Sequence, residues 1–129
     1  MSINNIATGV RNSMCNALVD AIDAGSTNAN GKIRGYTAAF ASMLFECDFA
    51  NPAFGAAASG VATANAIADE TSAPAAGDAA VGRVVDRDLA TVFEFTIGTS
   101  GADLILNSVS ISLGAVVSIT SMTVTQPAS

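Results

Sequence analysis

Asp86-Arg87-Asp88 places two carboxylates close together, as the start of a calcium loop would. The residues that follow, Leu89 to Val92, do not supply the rest of a loop of oxygen ligands, so a solvated hairpin turn is the expected reading. Asp20 and Asp23 stand about one helical turn apart, and a solvated helix face is expected there too. Asp69-Glu70 lies in an acidic, small-residue stretch and reads as solubilising charge on a loop. The chain has no histidine, which removes the commonest general base and the commonest transition-metal ligand together. Neither a Ser-His-Asp nor a Cys-His arrangement can be built within it. Cys15 and Cys47 have no motif spacing, cannot make a structural zinc site by themselves, and are expected as buried reduced thiols. Gly25, Gly31 and Gly35 lack the Lys-Ser/Thr context of a phosphate loop. No catalytic residue, metal site or cofactor is therefore assigned, and the chain is not expected to be an enzyme.

The elements that must position these residues are mostly strands. From Thr91 to Thr125, aromatic and β-branched residues alternate with Ser, Thr and Glu, the period of half-buried strands. Lys32–Tyr36, Val61–Ile67 and Ala80–Asp86 read as further strands, as does the alternation Phe45, Cys47, Phe49 against Glu46 and Asp48. Helix over Ala38–Leu44 is the rival reading of that region. Asn51-Pro52 breaks the pattern, and Asp69–Asp78 reads as an exposed loop. In the last strand Val117 and Ile119 are out of phase with Met122 and Val124. A β-bulge near Thr120-Ser121 would return both pairs to one face; otherwise the strand crosses between two sheets or two subunits.

Before these strands, Ile3, Ile6, Val10, Met14, Leu18 and Ile22 recur at three- and four-residue spacing and predict one amphipathic helix over about Ser2–Ala24. Ser2 is the expected N-cap and Gly25 the C′ residue. Gly9 inside the helix, and Asp20 and Asp23 at its negative end, oppose it and must be offset by packing. Ser26–Gly31 reads as a turn-rich linker. The expected architecture is mainly β: a β-sandwich-like, jelly-roll or similar antiparallel domain over residues 26–129, with a helical segment over residues 1–25, in a single domain.

Composition narrows the function class. Among 129 residues, five are basic and eleven acidic, a net charge of −6, and only 12% are charged. That is below the share usual for a free-standing soluble surface, so much of this one is expected to be covered in an assembly. Five scattered bases form no phosphate-binding stripe, and no nucleic acid is expected as partner. Asp48–Asp69 is uncharged between its ends, but Asn51, Pro52, Ser59, Thr63 and Asn65 disqualify it as a membrane span, and no membrane is expected as partner either. The N-terminus shows no secretory pattern.

The ending from Gly98 to Thr125 resembles that of a family of small tailed-bacteriophage virion proteins. Arg11-Asn12 with Ala17–Ile22 is similar to the family's N-terminal helix, Lys32-Ile33-Arg34 to its first strand, and Phe54–Ala66 and Val81–Asp86 to its middle segments, all in one order. Phe40–Phe49 departs from it, because polar loop residues are expected there. The resemblance implies a structural protein of the virion, made in the host cytoplasm. The expectation that follows is a capsid decoration or cement protein bridging major capsid subunits, as a homo-oligomer and specifically a trimer. The alternatives are a neck, tail or fibre-associated subunit, or a carbohydrate-binding adhesin domain; the absence of Trp and the single Tyr count against sugar stacking. The candidate interface comprises Ile3, Ile6, Val10, Met14, Leu18 and Ile22 on the helix, and Val117, Ile119, Met122 and Val124 on the terminal strand.

Overall fold

The computed structural model describes all residues, Met1–Ser129. The protein is mainly β with one N-terminal α-helix, as the alternation predicts. Helix α1 spans Thr8–Asp20 and continues as a 3-10 turn over Ala21–Asp23. Strands follow at Lys32–Tyr36 (β1), Met43–Asp48 (β2), Val61–Thr63 (β3), Gly77–Asp78 (β4), Val81–Val85 (β5), Thr91–Gly98 (β6), Leu104–Ile105 (β7), Ser110–Ile111 (β8) and Thr123–Thr125 (β9). A five-stranded sheet runs β2-β1-β5-β6-β7, and two small pairs, β3-β9 and β4-β8, stand apart from it. All pairings are antiparallel except β6 with β7.

The sheet's two faces are set by the pleat, which sends successive side chains to opposite sides. On the inner face, register aligns Phe45, Gly35, Gly82 and Phe95 in one row across β2, β1, β5 and β6. The two rings lie over the two glycines: a Cβ at Gly35 would overlap the Phe45 ring, and one at Gly82 the Phe95 ring. The glycines are thus required by close approach. On the outer face, the next row is Glu46, Arg34, Arg83, Glu94. Arg34 bonds Glu46 at 2.6 Å and Arg83 bonds Glu94 at 3.2 Å, so each carboxylate neutralises one of two guanidiniums that stand directly opposite. Lys32 adds a contact to Asp48 at 2.7 Å, and the Arg83 guanidinium stacks over Phe40 at 4.1 Å.

Opposite the inner face lies a second layer with little regular structure. Ala53, Phe54, Ala62, Ala73, Ile111, Val117 and Ile119 join Ile33, Phe45, Cys47, Val84, Phe95 and Ile97 in one apolar core, to which α1 adds Cys15, Val19 and Ile22. Two facing layers around one core make the arrangement sandwich-like.

Several boundaries differ from the sequence reading. The helix starts at Thr8, and its cap is Ala7 without a side-chain cap bond; Ser2 plays no part. Residues 1–7 are outside any helix, and the Ile6 N–H donates to the Ala128 carbonyl at 2.8 Å. Gly25 takes φ +105°, with the Asp88 carboxylate packed against its Cα. Ala38–Phe40 is one 3-10 turn, after which β2 begins, so the strand reading of Phe45, Cys47 and Phe49 holds. Leu44 is buried beside Phe45 because a register shift opposite Gly35/Tyr36 leaves it as the unpaired extra residue. The Val61–Ile67 strand is only three residues long. The terminal strand is broken: Val117 makes an isolated bridge to Glu70, and only Thr123–Thr125 pairs with β3. Both out-of-phase pairs still reach the same core, through an irregular stretch at Ser118–Met122 in place of a bulge within one long strand.

Candidate interaction surface

Helix α1 is turned about one residue, roughly 100°, from the orientation that would bury its whole apolar stripe. The core-facing residues are Cys15, Val19 and Ile22. Beside them, polar side chains point inward. Asn12 Oδ1 accepts the Gly60 N–H at 2.8 Å, Asn16 Oδ1 the Ala57 N–H at 2.8 Å, and Asp23 Oδ1 the Ala53 N–H at 3.0 Å. Residues 53–60 form mostly loop, so these amides lack a continuous strand partner, and a buried unpaired amide costs about 1–3 kcal/mol. The helix offers acceptors at one- and two-turn spacing along exactly the stretch of chain that lacks them. On its other flank Arg11 Nε donates to the Gln126 carbonyl at 3.0 Å and Cys15 Sγ to the Val124 carbonyl at 3.4 Å. Asp23, which the sequence places on a solvated face, is therefore a structural acceptor, as is Asn12.

The consequence is an apolar outer face. Ile3, Val10 and Met14 are 59%, 52% and 42% exposed, and Ala17 is exposed with them. Ile6 and Leu18 are half-buried. Ile22 is buried completely, because it closes the core below Gly31. On the terminal segment Val117 and Ile119 are likewise buried in the chain's own core, while Met122 and Val124 are half-buried. Ile22, Val117 and Ile119 are thus core residues and drop out of the candidate interface. Leu113 and Val116, which periodicity did not single out, are 72% and 65% exposed on the loop preceding Val117. Val116 is out of phase with buried Val117, which is the signal the sequence carried for it, whereas Leu113 shares the phase of buried Ile111 and Val117 and carried none.

The acidic pairs have structural duties. The Asp86 carboxylate accepts the Asp88 and Ala90 amides and shapes the β5–β6 turn. Asp88 Oδ1 accepts the Ser26 and Thr27 amides at 2.9 and 2.8 Å, and these two bonds hold its carboxyl below the ordinary range. With Asn28 and Arg87 bonded reciprocally through side chains and carbonyls, the predicted linker Ser26–Gly31 is fastened to this turn. Glu70 caps the outer edge of β2: Oε2 accepts the Glu46 amide at 3.1 Å, and Oε1 the Ser72 amide at 3.1 Å. Cys15 and Cys47 are free and buried, and burial pushes the Cys47 thiol up to about 11. No group of three Cys, Asp or Glu side chains is arranged to hold a metal ion, and no helix is long and apolar enough to cross a membrane.

An open groove of about 560 Å³ runs between the β6–β7 edge and the segment Ser121–Val124. Phe93, Phe95, Leu104, Ile105, Met122 and Val124 give it apolar walls, and Glu94 and Asp103 its charge. Comparison of the chain with protein-family models, with characterised proteins and with solved structures finds no match.

Proposed function

We propose that this chain is a structural protein of a tailed-phage virion, a capsid decoration or cement protein that bridges major capsid subunits as a homotrimer. The observation that carries the reading is the orientation of α1: its amide acceptors face inward and Val10, Met14 and Ala17 face solvent. An apolar stripe left outside, on a chain with few charges, is stabilised when a neighbouring molecule covers it. The order of segments shared with small virion proteins supports the same reading. The mechanism is mechanical. Burying apolar area across a junction contributes about 25 cal/mol per Å², and a stable contact covers about 1,200–2,000 Å², so many copies raise the free energy needed to open a shell.

Copy number per purified particle is the test. Hundreds of copies fit a shell component, whereas a few to dozens would move the chain to the neck, tail or fibre. Sedimentation of the isolated protein should show trimers, and Val10→Asp with Met14→Asp should yield folded monomers that no longer bind particles. Single chains at high concentration that never co-sediment with particles would overturn the proposal.

A further inference from the structure

We propose that the groove beside β6 docks an extended, basic segment of another protein, whose backbone pairs with the free edge at Glu94. The edge is defined by the ladder. The Ile97 N–H donates to the Ala80 carbonyl, so odd residues of β6 face β5 and even residues face away. Of the outward groups, the Thr96 N–H is taken by Asp103 Oδ2 at 2.9 Å and the Gly98 carbonyl by the Leu106 N–H. Strand β7 reaches only Ile97 and Gly98, and Val92 is the extra residue of a bulge opposite Val84/Val85. Glu94 is left with N–H and C=O pointing outward and no strand beside them. An unpaired peptide edge over apolar walls is the geometry in which a strand is added from outside.

Charge selects the occupant. Glu94 and Asp103 are the only ionisable groups lining the groove. The Glu94 side chain is half exposed, with one oxygen on Arg83 and the other open. A second copy of this chain offers no basic side chain that is not already engaged. Lys32, Arg34 and Arg83 are in ion pairs, and Arg11 and Arg87 donate to backbone carbonyls. The carboxylates that keep an acidic copy off the edge attract a segment alternating apolar and basic residues. The inference concerns a surface separate from α1 and stands whether or not the chain belongs to a virion.

The probe is a six-residue peptide alternating valine and lysine, compared with one alternating valine and glutamate. Binding to the full chain is followed by fluorescence anisotropy and by amide hydrogen exchange. The lysine peptide should bind at least tenfold more tightly, with an advantage that shrinks in salt, and should slow exchange at the Glu94 amide. Met122→Lys and the surface change Ile105→Lys, which remove apolar wall and add repelling charge, should each weaken binding of the lysine peptide about tenfold after folding is checked, while Ser13→Ala on the helix leaves it unchanged. Equal binding of both peptides, an unprotected Glu94 amide, or indifference to Ile105→Lys overturns the proposal. So does protection at Glu94 that grows with protein concentration without peptide, which would make the occupant a second copy.

Discussion

The five-stranded sheet and the layer facing it enclose the same core by different means. In the sheet, β1, β2, β5 and β6 satisfy one another's backbone, and side chains are left free to pack: Phe45 over Gly35, Phe95 over Gly82. In the facing layer, residues 50–80 and 106–129 form strands of two or three residues and isolated bridges. There backbone pairing is piecemeal, and the Gly60, Ala57 and Ala53 amides are satisfied by side chains from elsewhere, those of Asn12, Asn16 and Asp23. The first region tolerates no added volume, and the second no lost acceptor. The contrast also explains the helix: polar residues needed inward leave apolar ones outward.

Adding volume to the sheet should produce the largest effect. Gly82→Val places atoms where the Phe95 ring lies, with the Arg34 carbonyl 2.9 Å from the new Cβ, so neither side can yield cheaply. A loss of about 3 kcal/mol is expected, the upper part of the range for overpacking. Gly35→Ala, against the Phe45 ring alone, should cost about 1–3 kcal/mol. Urea denaturation of each variant checks both numbers. A neutral Gly82→Val would show that the rings are free to move off the glycines.

Removing an acceptor from the second layer should cost less. Asn16→Leu keeps the side chain's approximate volume and leaves the Ala57 N–H without its partner. The expected loss is about 1–2 kcal/mol, with faster exchange confined to amides near Ala57. Combined with Asn12→Leu, the losses should couple, since the two residues hold one loop. Met14→Ser, on the outward face, should change the stability of the isolated chain by no more than about 0.5 kcal/mol. If Met14→Ser costs as much as Asn16→Leu, the orientation of α1 is wrong.

The same contrast governs what the sequence could reveal. The sheet was legible because alternation is enforced residue by residue: Ile33, Cys47, Val84 and Phe95 are apolar and inward, and Lys32, Arg34, Glu46 and Glu94 polar and outward. The second layer was not, because its bonds join residues 41, 48 and 30 positions apart in chain and leave no period. The helix shows the limit most clearly. Its hydrophobic stripe predicted a helix but could not say which way it faces, because periodicity registers apolar side chains and is blind to unpaired amides waiting in a loop. Of the ten candidate interface residues, Val10 and Met14 stay available on the helix and Ile3 before it, while Ile22, Val117 and Ile119 are consumed by the core. The groove had no sequence signal, since Glu94 and Met122 lie in separate segments that only the fold brings together.

Gly9 offers a smaller effect of opposite sign. It sits inside α1 with nothing within 4 Å of where a Cβ would stand. Gly9→Ala should therefore raise stability by about 0.5–1 kcal/mol through the cost glycine carries in a helix, where Gly82→Val does the reverse in a strand. Thermal unfolding of the two variants side by side would sharpen the distinction between a glycine required by contact and one merely tolerated.

The smallest effect belongs to Asp88, which is fully exposed yet fastens the loop Ser26–Asn30 by its bonds to two amides. Those bonds favour the ionised form, so its folded-state pKa lies below the ordinary carboxylate value. Its contribution is complete above that ordinary value, near 3.9, and fades as pH falls through the lower folded-state value. Amide shifts of Ser26 and Thr27 should therefore titrate below pH 4, ahead of any global change in the sheet. Asp88→Asn keeps one acceptor oxygen but no charge, and should flatten that titration while leaving the Phe45–Gly35–Gly82–Phe95 row untouched. A titration that persists unchanged in Asp88→Asn would mean that the two amides do not report on this carboxylate and that it does not fasten the loop.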